Sequence, residues 1–74
     1  GKNGRREESF RALERAARID PNFDMTFFYR GNLHVLAGNL AAAASDYEHA
    51  VNLNPRNEPA REGLARVRAQ LAPP

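Results

Sequence analysis

Cysteine is absent from this 74-residue chain, which removes any disulfide framework and any thiolate metal site while leaving the compartment open. No apolar run approaches the roughly 20 residues that a membrane-spanning helix needs, so membrane insertion by this chain is not expected, and no secretory leader is visible. Neither sign of charge dominates: 11 basic residues face 9 acidic ones, for a net charge of +2. The hydroxyl groups are few, namely Ser9, Ser45, Thr26 and two tyrosines. No Gly-rich phosphate loop, HExxH or GxSxG motif accompanies them, so the chain is not expected to be an enzyme, and no cofactor is implied. The absence of an initiating Met at Gly1 reads as a processed or cloned piece. Ten of the eleven basic residues are Arg. That bias favours a GC-rich bacterial source, with a cytoplasmic location preferred and a periplasmic one left open. Apolar residues make up 42%, enough for one thin core of the kind that supplies ~3–5 kcal/mol of net stability in so small a fold.

What the chain does have is a period. Pro21 and Pro55 lie 34 residues apart, and each closes an amphipathic stretch, Glu14 to Asp20 and Glu48 to Asn54. Four helices account for nearly the whole sequence, and there is no strand signal. The first spans 5–20. Its Phe10, Leu13 and Ala17 fall on one stripe, and its acid-first pairs Glu7–Arg11 and Glu14–Arg18 favour helix. Pro21 ends it, because the residue before a proline resists helical geometry. The second runs from Met25 to Ala37, with Asp24 as the expected N-cap and Phe23–Phe28 at the spacing of a hydrophobic staple. Gly38-Asn39 supplies a left-handed exit and a cap for the third helix, Leu40 to Asn54. Asn57 caps a fourth that reaches Leu71, with Pro59 tolerated in its first turn. Ala60, Leu64, Val67 and Leu71 form its apolar stripe, and Glu62–Arg66 adds another acid-first pair.

Phe27, Gly31, Ala43, Tyr47 and Pro55 stand at the spacings of the pattern W-x2-L-G-x2-Y, A-x3-F and P, so the sequence resembles the tetratricopeptide repeat. Arg30 and His34 depart from the pattern, at its Leu and its Tyr. The resemblance implies an all-α fold, with antiparallel helix-turn-helix repeats stacked as a short right-handed solenoid fragment. One domain over 1–74 would comprise the second helix of an incomplete repeat (5–20), a complete repeat (24–57) and a partial repeat or capping helix (58–72). Gly4, Glu14, Ala16 and Pro21 recur as Gly38, Glu48, Ala50 and Pro55, which makes Gly4 the expected turn of the preceding unit. Ala65 stands where Gly31 stood, and Arg61 where Phe27 did, as suits a cap with a polar outer face.

In this family the first helices line a concave groove for peptides or partner helices. The positions here that match are Met25, Phe28, Asn32, Val35, Leu36 and, from the last helix, Arg66. They imply an apolar groove with one amide to fix a backbone group or carboxylate; the competing reading is that Phe28, Val35 and Leu36 are ordinary core. Phe28 occupies the place of the first lysine of the carboxylate clamp found in some members, and Glu62 and Gly63 occupy equivalent sites, which argues against that clamp. The alternative to partner binding is self-association through Phe10 and Leu13, whose upstream neighbours are missing, giving a homo-oligomer; a regulatory appendage of a larger enzyme or secretion machine is a third reading. His34 and His49, on adjacent helices, are too few for a metal site, and His34, in a slot the family usually fills with Tyr, is expected to be packed and hydrogen-bonded. The arginines Arg11, Arg15, Arg18, Arg61, Arg66 and Arg68 are interleaved with glutamates and lack aromatic neighbours, so no nucleic-acid partner is expected.

Overall fold

Pro21, Gly38 and Pro55 cut the chain into four α-helices in the computed structural model, which describes residues 4–73: α1 (Gly4–Ile19), α2 (Asp24–Leu36), α3 (Leu40–Leu53) and α4 (Glu58–Leu71). No strand occurs among the described residues, and none of their helices is long and apolar enough to cross a membrane. Each helix packs on the next, and α2 also touches α4. The result is a slab with Cα extents of 35 × 29 × 14 Å, so thin that no large side chain among the described residues is completely shielded.

The helix ends follow local chemistry. Gly38 takes φ +79 at the end of α2, a left-handed conformation that costs glycine nothing, and its N–H and that of Asn39 return to the carbonyls of Val35 and His34. The Asn39 side chain accepts the Ala42 N–H at 3.4 Å, and that of Asn57 accepts the Ala60 N–H at 3.1 Å. Asn54 leaves α3 in an extended conformation, as its position before Pro55 demands. The start of α2 differs from the sequence expectation of an Asp24 cap. Phe23 holds the N-cap position with no side-chain cap, and Asp24 is the first helical residue. Its carboxylate instead accepts Asn57 Nδ2 at 2.8 Å and Asn54 Nδ2 at 3.2 Å, tying the loop after α3 to the start of α2. Gly4 is likewise not a turn but the first residue of α1; the residues before it lie outside those described.

Two small clusters form the core. Ala43, Tyr47, Leu64 and Val67 join α3 to α4, while Phe27, Ala50 and Ala60 join α2, α3 and α4; Phe28 packs against both. The Tyr47 ring lies between two glycines. A Cβ on Gly31 would stand 2.7 Å from its Cδ1 and Cε1, and one on Gly63 would stand 2.8 Å from its Cζ. The close approach from α4 is thus made by Gly63, whereas Ala65, the residue in register with Gly31, is exposed on the outer face of α4. α1 contributes no buried residue and touches α2 alone.

Candidate functional site

The two residues that depart from the repeat pattern converge on a third. Arg30 donates through Nε and Nη2 to Oδ2 and Oδ1 of Asp46, both at 2.8 Å. His34 Nε2 lies 3.3 Å from Asp46 Oδ2. Asp46 is only 6% exposed, so a lone carboxylate there would be costly; the bidentate guanidinium compensates it. The same bonds raise the Arg30 pKa above its ordinary value, with desolvation opposing. Its guanidinium also sits 5.3 Å from the Phe27 ring centroid. His34 stacks against Phe10 at 4.8 Å, and His49 against Phe27 at 4.0 Å. The histidines therefore have separate aromatic neighbours, and among the described residues no cluster of three metal-ligating side chains exists.

Around this framework lie the positions matched to a groove. Tyr47 donates its hydroxyl to Asn32 Oδ1, which leaves the Asn32 amide N–H groups as donors. Burial raises the Tyr47 pKa, and the nearby Arg66 charge opposes that shift. Arg66 is exposed and has no carboxylate within 4 Å among the described residues. Phe28, half-buried, stands with its ring centroid 6.0 Å from that of Tyr47. Leu36 is 68% exposed and Val35 38%. Met25 is half-buried, and its sulfur accepts Asn57 Nδ2 at 3.6 Å. Asn32 is held by Tyr47, whose phenol feels the charge of Arg66, and Phe28 adds an apolar neighbour; Met25 belongs to the loop clasp. The self-association candidates also separate. Phe10 rests on His34, and Leu13 lines an open apolar cleft of about 400 Å³ with Ser9, Ala12, Tyr29, Asn32 and Leu33.

Of the acid-first pairs only Glu7–Arg11 closes, at 3.7 Å and largely in solvent; Arg68 instead reaches across helices to Glu48 at 2.9 Å. Exposed pairs of this kind contribute at most about 1 kcal/mol. Asp46 and the Tyr47–Asn32 bond lie outside the expectations drawn from the sequence. Asp46 had a signal: it is an acid at i+3 from Ala43 and i−4 from Ala50, inside the apolar stripe of α3, opposite two polar departures on α2.

A family model described as the tetratricopeptide repeat matches residues 25–57. No curated protein matches the chain, and no solved structure does.

Proposed function

We propose that this chain, which belongs to the tetratricopeptide repeat family through residues 25–57, binds a peptide or helix of a partner protein on the α2–α4 face that carries Phe28, Asn32, Leu36 and Arg66. Repeats of this family are in general protein-interaction modules and are typically non-catalytic scaffolds. The observation that carries the finer reading is the Tyr47–Asn32 hydrogen bond beside Arg66. It fixes the amide with its N–H groups unoccupied among the described residues, next to a cation that has no carboxylate partner among them and an apolar Phe28. Such a patch suits a segment that pairs a carboxylate or bare carbonyl with an apolar side chain: charge-assisted donors supply direction, and the exposed Leu36 and Val35 supply apolar area. Met25, already bonded to Asn57, has a supporting place at the edge.

A test is to select peptides from a random display library on the chain and titrate the best binder against variants. Leu36→Ala and Arg66→Ala should each weaken it about tenfold or more, a typical cost for a contact at the centre of an interface, with far-UV circular dichroism unchanged. Ser45→Ala, on the far side of α3, should leave binding intact. Selected peptides that tolerate both substitutions would sink the proposal. Phe28→Ala is a poorer probe, because Phe28 packs against both core clusters.

A further inference from the structure

The cleft at Leu13 has an occupied counterpart within the same molecule. Its lining residues Ser9, Ala12, Leu13, Tyr29, Asn32 and Leu33, moved by the 34-residue period separating Pro21 from Pro55, become Ala43, Asp46, Tyr47, Gly63, Arg66 and Val67. That second set is the surface on which α2 lies: Tyr47 meets Gly31, and Asp46 meets Arg30. All of it except Arg66 is buried. The cleft is therefore a socket for a helix of the α2 type. One such helix is exposed on this chain, since α4 corresponds to α2 by the same shift and its outward residues Arg61, Glu62 and Ala65 face solvent. We propose that α4 of one copy docks into the α1–α2 cleft of a second copy, so that α4 and the partner's α1 together complete a repeat and copies associate head to tail.

The register of α2 on α3 shows which residues would meet. Gly31 against Tyr47 becomes Ala65 against Leu13, a larger residue on one side matched by a smaller one on the other. Arg30 with Asp46 becomes Leu64 with Ala12; Leu64 is already buried against α3 in its own copy, so this pair adds little contact but strands no charge on closing. Phe27 on His49 becomes Arg61 on Arg15, and Asp24 near Asn54 becomes Glu58 near Asp20. These two like-charge meetings weaken the contact and make it salt-dependent. Contacts of this heterologous kind extend as open chains unless the rotation closes a ring.

Sedimentation equilibrium over a wide concentration range, from micromolar to millimolar, tests the proposal. The average mass should rise past that of a dimer, and more readily at high salt. Leu13→Glu should be monomeric because its socket is blocked, and Ala65→Glu because its plug is blocked. An equimolar mixture of the two should form a heterodimer, since each retains the end that the other has lost. Ala12→Glu, at an exposed position of the same cleft, serves if Leu13→Glu loses helicity. Arg61→Phe, which restores the residue type found at Phe27, should tighten association about tenfold. A wild type that stays monomeric throughout overturns the proposal, as does a dimer that Leu13→Glu abolishes and Ala65→Glu leaves intact, for that would be an α1–α1 pair. Peptide binding at Leu36 and Arg66 is read separately, so either idea can fail alone.

Discussion

Asp46 is the residue on which α2 and α3 are fastened, and its environment fixes what its removal does. Asp46→Ala leaves the Arg30 guanidinium half-buried without its bidentate acceptor and should cost about 1.5–3 kcal/mol, the range for hydrogen bonds to charged groups. Arg30→Leu with Asp46→Ala should recover most of that loss, because the family pattern places Leu at Arg30 and this chain itself has Leu64 and Ala12 one period away. Denaturant titrations of the four proteins in the cycle check this; a double variant as unstable as the worse single one would show that the ion pair is not the fastener. Tyr47 carries a pH signature. Burial raises its pKa above 10.0, so the folded state holds the phenolic proton more tightly than the unfolded chain does. Its contribution is complete below about pH 10 and is lost as pH rises through the folded-state value. Tyr47→Phe should accordingly flatten the fall in stability above pH 10, while costing about 0.5–1.5 kcal/mol at neutral pH through loss of the bond to Asn32. Equal alkaline slopes in the two proteins would assign the effect elsewhere.

The elements were legible wherever punctuation was strong. Pro21, Gly38-Asn39, Pro55 and the Asn57 cap set helix ends within a residue of where the sequence put them, because each acts through local backbone geometry. The errors arose where a side chain had a choice of partners. Asp24 is a good cap by type, yet two asparagine amides from the following loop reach it and no cap bond forms. The close approach of Gly63 to Tyr47 at the crossing of α3 and α4 was not legible either, because it depends on ring placement and not on the 34-residue period. The same crossing makes a prediction about helix packing. Gly31→Ala and Gly63→Ala would each set a methyl within 2.9 Å of ring carbons. Overpacking costs ~1–3 kcal/mol, against a gain in helix propensity of ~1 kcal/mol, so both variants should lose up to about 2 kcal/mol and neither should gain. Gly4→Ala, with nothing within 4 Å of the new methyl, should be neutral or stabilising. Thermal unfolding of the three variants decides it, and a stabilised Gly63→Ala would mean that Tyr47 can leave its slot.

Across the whole molecule, support is uneven from one end to the other. α3 has four buried residues and packs on both α2 and α4, while α1 has none and packs only on α2. In stacked repeats stability is close to a sum of unit and nearest-neighbour terms, so a helix with one neighbour opens more readily than one with two. Phe10 against His34 and Ala17 against the Phe27 cluster are among the contacts that hold α1, and Ile19 at its end is 79% exposed. Amide hydrogen exchange should therefore show α1 exchanging by local opening, with protection about tenfold or more below that of α3, whose slowest amides report global unfolding. Uniform protection across α1 and α3 at low concentration would show that the four helices open as one cooperative unit. Because the cleft beside α1 is the proposed socket for a second copy, α1 protection should also climb with protein concentration while that of α3 stays constant. Leu13→Glu, which blocks the socket, should abolish the climb, and a climb that survives this substitution would locate the contact between copies elsewhere on the slab.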